Sequence, residues 1–424
     1  MCRAPVGKPH GRIDYRFPGR SSVGFVRVAT KLLSSRIVAA MLALVLGGCA
    51  SEIVREGIPD ANLADHAIVD DLPGIRFWGD EHPKDFIAEL RQRLPNMPRI
   101  AQGATRVRGR PVVEVLALSG GGGDGAFGAG ILTGWSERGD RPEFEVVTGV
   151  SAGAIIAPFA YLGPRYDGAL REIWTKYQTS QIATAQILPG ILGGASLADN
   201  APLEDLIARY ADKRLLREIA AEYRKGRMLF VLTTNLDAQR PVVWNLGEIA
   251  ASKRPGSLEL FRKVIMASAA IPGAFPPIEI PVAAGGKAYD ELHVDGGTTR
   301  EVFVQPVNVP FRAYDALYDA PPIRRLYIIK NGKIAPEQEV VQPKTLSIVS
   351  RSIATLIKNQ NLGELYRIHR MAEDGGAEFN FVAVPPSFDV KSKQFFDPVY
   401  QSALFEEGRR MGRDGVPWAR RPPL

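Results

Sequence analysis

Ser151 is the residue whose surroundings most clearly suggest chemistry. It is the centre of Gly149-Val150-Ser151-Ala152-Gly153, a G-x-S-x-G pattern. A serine nucleophile placed at the top of a sheet needs a sharp, strained turn from strand to helix, and flanking glycines make room for that turn. The apolar run Phe144–Val150 predicts the strand and Ala152–Leu162 predicts the helix. This context favours a nucleophile over a serine that merely caps a helix.

A second turn rich in glycine comes about 30 residues earlier. It contains Gly120, Gly121, Gly122, Gly123 and Gly125, with Asp124 among them. It follows the predicted strand Val112–Leu118 and opens a predicted helix, so its N–H groups could hold a nucleotide phosphate or an oxyanion. The turn lacks the Gly-Lys-Ser/Thr of a phosphate-binding loop and does not fit G-x-G-x-x-G. We therefore interpret it as an oxyanion hole.

The third requirement is a base for the serine proton. Asp295 precedes Gly296 and Gly297 and follows an alternating apolar pattern, so its carboxylate should project from the end of a strand into a tight turn. The sequence Asp-Gly-Gly also occurs in ordinary hairpins. A Ser-Asp-His triad through His369 has the chain order of some hydrolases, but His369 falls in a predicted helix. Both a direct aspartate base and this triad remain open at this point.

The elements that must position these residues alternate between strands and helices. Late strands are predicted at Arg325–Ile329 and Phe379–Val384, around a long helix near 346–372. This alternation predicts an α/β fold with a largely parallel sheet. In such a sheet the carboxyl ends of neighbouring strands meet at one edge, which should bring the glycine-rich turn next to Ser151.

The charge distribution excludes nucleic acid as a partner. The 424 residues carry a formal charge of +7, but eight of the 53 basic residues and only one of the 46 acidic residues lie before residue 37. The chain after Gly48 therefore has 45 residues of each sign. No group of residues has the spacing of a metal or calcium site, so neither metal nor cofactor is expected.

The first 48 residues have the pattern of a secretory signal. A basic stretch precedes the apolar run Ile37–Leu46, which is too short to span a bilayer. Leu46-Gly47-Gly48-Cys49 resembles a bacterial lipobox, although an ordinary signal peptide with a chance cysteine is the alternative. We expect acylated Cys49 to anchor the protein in the membrane of the bacterial cell envelope, and the outer membrane is favoured by analogy. Residues 49–110 should form a tether with a short helix at Pro83–Arg93, ahead of a domain at 111–424.

Taken together, these motifs resemble those of the patatin-like phospholipases over residues 112–300. The glycine-rich turn is similar to the oxyanion loop of the family, Gly149–Gly153 to its nucleophile elbow, and Asp295-Gly296-Gly297 to its D-G-[GA] block. Ala267–Pro277 is similar to its A-S-x-A-x-P-x-x-F-P-P segment. The resemblance implies a three-layer α/β/α fold and hydrolysis of lipid esters by a dyad of Ser151 and Asp295, without histidine or cofactor.

One position departs from the family pattern. Asp124 stands where the loop usually has a basic residue. We expect Asp124 to cap the following helix. The loss of the cation removes a partner for a lipid phosphate, which argues against a preference for phospholipid but not against ester hydrolysis. Ile271, Phe275 and Ile278 could line an acyl channel or pack in the core. An acyltransferase using the same dyad, or a non-catalytic envelope lipoprotein, would be consistent with the same residues.

Overall fold

The computed structural model describes residues 55–69, 71–84, 88, 92, 105–182, 184–185, 198–305, 309–394 and 396–423. Glu56–Leu424 form one structural unit. The predicted signal peptide, Cys49 and most of the predicted helix Pro83–Arg93 lie outside the described residues. In the described ranges, no helix is both long enough and apolar enough to cross a bilayer.

Strands and helices alternate through most of the described chain. The strands are β1 Arg76–Trp78, β2 Arg106–Val107, β3 Arg110–Leu118, β4 Val146–Val150, β5 Thr184–Ala185, β6 Ala198–Asp199, β7 Met228–Asn235, β8 Arg240–Asn245, β9 Ile278–Ala284, β10 Lys287–Asp295, β11 Ile323–Lys330 and β12 Ala377–Ala383. The α-helices are α1 Ala61–Asp65, α2 Gly125–Arg138, α3 Ala152–Leu162, α4 Asp167–Lys176, α5 Ala201–Tyr210, α6 Lys213–Arg224, α7 Leu246–Ala251, α8 Ser257–Ser268, α9 Thr345–Gly375 and α10 Pro398–Gly415.

One mixed sheet organises these elements in the order β1-β8-β7-β4-β3-β11-β12. The strands β7, β4, β3, β11 and β12 are parallel to one another. Strand β8 pairs antiparallel with β7, and β1 with β8. Strand β10 pairs antiparallel with both β7 and β9. The predicted, mostly parallel sheet is therefore confirmed.

Helices cover both faces of this sheet and give the fold three layers. Along β3, Leu116 and Leu118 face a core shared with α2, α3, α4, α5, α6, α8 and α10. Val113 and Val115 face a second core that includes residues of α9. Because successive side chains of a strand point to opposite faces, β3 contributes to both cores and is buried along almost its whole length. This arrangement confirms the predicted α/β/α fold class.

Helix α10 is an element that no sequence pattern predicted, and its packing shows why. It lies against α2 so closely that a Cβ atom on Gly130 would be 2.1 Å from the carbonyl oxygen of Phe405. A Cβ on Gly134 would be 1.9 Å from the carbonyl oxygen of Arg409, and one on Gly408 would be 2.4 Å from that of Phe127. Glycines four residues apart on α2 thus allow backbone contact. The sequence alone could not show this role of the glycines, because it depends on their contact with α10.

Part of the predicted tether belongs to the sheet. Strand β1 pairs with β8 through Arg76–Trp78. The Arg76 guanidinium forms a buried ion pair with Glu291 of β10, in which Nη2 donates to Oε1 at 2.9 Å, and Nη2 also donates to the carbonyl of Ala67 at 3.2 Å. Two charges buried as a pair need good geometry and additional hydrogen bonds, both of which are present here. The composition of the predicted tether indicated only a polar segment and gave no sign of this contact.

Candidate active site

The register of the sheet brings Ser151 and Asp295 together. Strand β4 pairs with β7 as far as Val150, which lies opposite Leu232. The same edge of β7 is then taken over by β10, whose Asp295 lies opposite Thr233. The two strands therefore meet end to end along β7. The residue after Val150 is the serine, and the last residue of β10 is the aspartate.

The backbone at Ser151 has the conformation that a nucleophile elbow requires. Its φ is 53° and its ψ is −121°, a region that residues with a side chain rarely adopt. A Cβ on Gly149 would lie 2.4 Å from the carbonyl oxygen of Gly153, and one on Gly153 would lie 2.3 Å from that of Leu118. Both glycines of the G-x-S-x-G pattern are thus required by close backbone approach. Ser151 is also the residue before α3, so the positive end of that helix faces it.

Asp295 is buried and is hydrogen-bonded through both carboxylate oxygens. Ser151 Oγ donates to Oδ2 at 2.5 Å, and the Gly297 N–H donates to Oδ1 at 2.7 Å. Burial raises the pKa of Asp295 to about 7, and the negative charge of Glu301 acts in the same direction, while the two hydrogen bonds oppose the shift. Gly296 is needed because a Cβ there would lie 2.4 Å from the carbonyl oxygen of Leu232. The arrangement can transfer a proton from the serine to the carboxylate.

The end of α8 and the two residues after it hold both members of this pair. Ser268 Oγ accepts the N–H of Ser151 at 2.9 Å and donates to the carbonyl of Leu232 at 2.6 Å. Two residues later, the carbonyl of Ala270 accepts the N–H of Asp295 at 2.9 Å. In the sequence, Ser268 stands out only as part of a family-like segment. Its contacts give that segment a definite positioning role.

The glycine-rich turn lies beside Ser151, as the parallel sheet predicts. A Cβ on Gly120 would be 3.8 Å from Ser151 Oγ. The N–H of Gly120 donates to the carbonyl of Glu301 at 3.1 Å, and the N–H of Gly125 donates to the carbonyls of Gly122 and Gly123. The N–H groups of Gly120 and Gly125 therefore stabilise the turn itself and are not available to an oxyanion of the substrate. Among the described residues, the N–H groups of Gly121, Gly122 and Gly123 have no hydrogen-bond acceptor and remain available for an oxyanion.

Asn331, at the end of β11, fixes the shape of this turn. Its Nδ2 donates to the carbonyl of Ser119 at 2.7 Å, and its Oδ1 accepts the N–H of Gly128 at 3.0 Å. Gly121 has a φ of 155°, and a Cβ there would lie only 2.0 Å from the carbonyl oxygen of Asn331. The turn is thus clamped by a residue about 200 positions further along the chain. The only local signal was an Asn-Gly pair after a predicted strand.

A buried ion pair lies behind the turn. Lys330 Nζ donates to Glu301 Oε1, and both side chains are almost fully buried. Glu301 Cγ lies 3.3 Å from the position of a Cβ on Gly120, and Glu301 Oε2 has no hydrogen-bond partner among the described residues. Burial raises the pKa of Glu301, whereas Lys330 lowers it. Sequence reasoning missed both residues, because neither belongs to a recognisable pattern.

The expected role of Asp124 as a helix cap is wrong. Its carboxylate makes no capping hydrogen bond to α2 and instead accepts the hydroxyl of Tyr400 at 2.6 Å. Burial raises the pKa of Asp124 to about 6, against the opposing effects of Tyr400 and Lys330. Tyr400 lies on α10, a helix that was not predicted from the sequence. Capping of α2 was therefore the only role for Asp124 that the sequence indicated.

The histidine alternative is not formed either. His369 lies 3.7 Å from Glu373 and packs its ring against Phe379. His293 is buried, with Nδ1 next to Thr233 Oγ1 at 2.9 Å and Nε2 next to Glu291 at 3.0 Å. Neither ring contacts Ser151 or Asp295. Of the two bases left open by the sequence, the structure contains the geometry of the direct aspartate.

Two further expectations concern the surroundings of the site. Phe275 and Ile278 are buried in the main core, and Ile271 packs against it, so of the two roles that were open for these residues they take that of core packing.

Within the part of the chain that the structure describes, no group of three or more histidine, cysteine, aspartate or glutamate side chains is arranged to hold a metal ion.

These features define an α/β protein with a serine and an aspartate in hydrogen-bond contact at the carboxyl edge of a parallel sheet. Residues 116–308 match the family model described as patatin-like phospholipase. This stretch, just under half of the chain, is therefore similar to the patatin-like phospholipases, a family of lipid hydrolases.

Two solved structures are also similar. VipD from Legionella pneumophila is 10% identical, with 74% of this chain and 70% of that chain covered and a TM-score of 0.32. A chain in the complex of SpcU with ExoU, from the type III secretion system of Pseudomonas aeruginosa, is 16% identical with a TM-score of 0.21. That match covers 72% of this chain and spans about half, 52%, of the other. No curated protein matches the sequence.

Proposed function

We propose that this protein is a serine acyl hydrolase that cleaves carboxyl esters of lipids, phospholipids among them. One observation carries the proposal: Ser151 Oγ and Asp295 Oδ2 are 2.5 Å apart, beside a turn in which the N–H groups of Gly121, Gly122 and Gly123 have no acceptor among the described residues. A nucleophile, its base and donors for the developing negative charge are the three parts that acyl transfer requires.

In the first half of the reaction, Ser151 Oγ attacks the ester carbonyl carbon and its proton passes to Asp295 Oδ2. The carbonyl oxygen becomes an oxyanion that the amides of Gly121, Gly122 and Gly123 can stabilise. When this intermediate collapses, the bond from carbon to the alcohol oxygen breaks, and Asp295 returns the proton to the leaving oxygen. An acyl group is then attached to Ser151.

In the second half, water attacks the acyl group and gives its proton to Asp295. Collapse of the second intermediate breaks the bond to Ser151 Oγ, which regains the proton, and a fatty acid leaves. An aspartate with the usual pKa near 3.9 would be a weak base for this work. The raised pKa of Asp295, about 7, brings its basicity close to neutral pH, where a general base is most effective.

The test is a panel of lipid esters assayed with purified protein and two variants. Ser151→Ala and Asp295→Asn should each reduce turnover by roughly a thousandfold or more, as loss of a catalytic group does in other serine hydrolases. A fluorophosphonate should label Ser151 in the unmodified protein, and labelling should slow markedly in Asp295→Asn.

His369→Asn is the matched control, since His369 is the histidine of the rejected triad and lies beside Glu373 and Phe379. It should keep full activity. Near-normal turnover by Asp295→Asn would remove Asp295 from the mechanism. Failure of Ser151 to label would favour a non-catalytic lipoprotein.

We further propose that the protein is anchored in the bacterial cell envelope through acylated Cys49. The support is the order of basic stretch, apolar run and Leu46-Gly47-Gly48-Cys49. Cys49→Ser should abolish incorporation of a labelled fatty acid and release the protein from the membrane fraction, because the acyl chains supply the anchoring free energy. Unchanged labelling of Cys49→Ser would exclude this site.

A further inference from the structure

The most exposed apolar side chains lie at the end of the fold that carries the candidate active site. Among the described residues, the three large apolar side chains with the greatest exposure are Val340 at 85%, Val399 at 76% and Leu356 at 70%. Val340 lies in the connection between β11 and α9, Val399 in the first turn of α10, and Leu356 in the first half of α9. Val399 is followed by Tyr400, whose hydroxyl donates to Asp124 in the glycine-rich turn at 2.6 Å. Exposed apolar side chains that cluster at one end of a protein mark an interaction surface.

Helix α9 begins at this end. It connects the carboxyl end of β11 with the start of β12, and these strands are parallel, so its first residues lie at the edge of the sheet that holds the candidate active site. No described side chain of α9 before Asn361 is buried, whereas Leu365, Ile368 and Ala372 pack in the second core. Residues 345–360 extend over about 24 Å as a helix. The first half of α9 therefore projects from the core at this edge.

This half of α9 carries an apolar row on the face that meets the site. The side chain of Gln360 donates to the carbonyl of Thr299, which belongs to the turn after β10. Leu356, Ile353 and Val349 precede Gln360 by four, seven and eleven residues, the spacing of one helix face. Leu356 and Val349 are exposed, and Ile353 is half-buried. The row therefore runs outwards from the turn that holds the aspartate.

The charges of the projecting helix are neutralised within the protein. Residues 345–360 contain no acidic side chain, and their two basic side chains are ion-paired with the connection that precedes the helix. Arg351 Nη1 lies 3.0 Å from Glu339 Oε2, and Lys358 Nζ lies 3.3 Å from Glu337 Oε2. The helix therefore offers a partner apolar contact with little free charge.

The N-terminal end of this structural unit lies on the same side. The N–H of Asp290 donates to the carbonyl of Glu56 at 2.8 Å. In the ladder between β10 and β7, His293 lies opposite Asn235, the last residue of β7, so Asp290 lies beyond the carboxyl end of that strand. Cys49 precedes Glu56 by seven residues, which span at most about 25 Å. Acyl chains on Cys49 would therefore hold this end of the molecule within that distance of a membrane.

We propose that the end of the molecule that carries the candidate active site docks on a lipid bilayer through its exposed apolar side chains. This docking surface consists of Val340, Val349, Ile353, Leu356 and Val399. An apolar helix face enters the layer between head groups and acyl chains because its transfer from water is favourable. Acyl chains on Cys49 would keep the surface close to the membrane, so a weak contact is sufficient. The proposal rests on the proposed function, since docking would bring Ser151 to lipid esters in the bilayer.

A fluorescent probe at residue 356 tests the docking without turnover. The acylated Ser151→Ala protein with Leu356→Cys is labelled with a nitrobenzoxadiazole thiol reagent and combined with phosphatidylcholine vesicles, with and without lipids that carry a nitroxide near the head group. The vesicles should shift the emission to shorter wavelength, and the nitroxide lipids should quench it. Val107→Cys is the matched control and should show neither effect, because Val107 is an exposed valine of β2 beside the start of β3, at the opposite edge of the sheet.

Kinetics with two kinds of ester give a second measurement. Leu356→Asp should lower kcat/KM for phosphatidylcholine in vesicles by roughly tenfold or more, because a buried leucine side chain strengthens a contact by at least that factor. It should leave kcat/KM for soluble 4-nitrophenyl butyrate unchanged, since Leu356 lies outside the catalytic pair. Val107→Asp should change neither value.

The outcomes separate the docking surface from the proposed function. Ser151-dependent hydrolysis without nitroxide quenching at residue 356, or with an equal loss on both substrates in Leu356→Asp, would overturn the docking and leave the proposed function standing. A shift in emission without quenching would place a protein, such as a second copy of this chain, on the surface and would also overturn it. If no ester is hydrolysed in a Ser151-dependent way, the proposed function fails, and the probe decides the docking alone: quenching supports it and its absence refutes it.

Discussion

The dependence of activity on pH tests the proposed base directly. Asp295 must be ionised to accept the serine proton, and burial raises its pKa to about 7. We expect kcat/KM for a short, uncharged ester to rise with pH and to level off above pH 7. For one ionisation near 7, about one molecule in a hundred carries the base at pH 5, about one in ten at pH 6, and about nine in ten at pH 8.

Glu301→Gln perturbs this ionisation from outside the pair. The carboxylate of Glu301 raises the pKa of Asp295, and it is also the partner of Lys330. Its replacement removes a negative charge and leaves a buried cation without its carboxylate, and both changes favour ionised Asp295. The acid limb of the profile should therefore move to lower pH. A tenfold increase in the acid dissociation constant of Asp295 would raise the ionised fraction at pH 6 about fivefold and would hardly change that at pH 8.

The assay is initial-rate hydrolysis in a pH-stat from pH 5 to 9, with the Ser151→Ala rate subtracted at each pH. Glu378→Gln serves as the matched control, because Glu378 pairs with Arg325 near the start of β11, away from the site at the ends of the parallel strands. The acid limb of the pH profile of Glu378→Gln should coincide with that of the unmodified protein. A profile that is flat between pH 6 and 8, or a limb that stays in place in Glu301→Gln, would refute the assignment of Asp295 as the titrating base.

Two further predictions concern the residues around the pair. Ser268→Ala leaves the Ser151 N–H without its acceptor, a loss of about 1–3 kcal/mol for a buried group, and should lower kcat by roughly tenfold or more with little change in KM. Thr133→Ala, which removes a buried hydroxyl within α2, should lower the melting temperature without this loss of kcat. Since Lys330 is already paired and Asp124 is acidic, neutral diacylglycerol should be cleaved at least as readily as phosphatidylglycerol in vesicles. A strong preference for the anionic vesicles that salt abolishes would contradict this expectation.

The candidate pair Ser151 and Asp295 could be proposed from the sequence because strong local signals mark both residues. Glycines around Ser151 and after Asp295 indicate turns in which a side chain at residue 149, 153 or 296 would collide with backbone. The parallel order of the strands then places turns at one edge of the sheet. What the pattern could not give is the register that sets Asp295 opposite Thr233, next to the end of β4.

The residues that support the site escaped prediction because their partners are distant in the chain. Asn331 reaches Ser119 and Gly128 only because β11 lies beside β3, with Ile329 opposite Leu118. Tyr400 reaches Asp124 because α10 packs on α2. Pairings over 200 residues or more leave no periodic or compositional trace in either segment, so a carboxylate such as Asp124 is naturally assigned to the nearest helix end.

The position of Ser268 explains how an aspartate and a serine can be held in direct contact without a histidine between them. In a triad, a histidine lies between the carboxylate and the hydroxyl, so the distance between these two groups can vary somewhat. In a direct pair, the carboxylate and the hydroxyl must be held within one hydrogen-bond length. Here Ser268 holds the backbone of Ser151, and Ala270 holds that of Asp295, so both reactive residues are bound to a segment of three residues. The close contact therefore depends on this shared support as much as on the attraction between the two side chains.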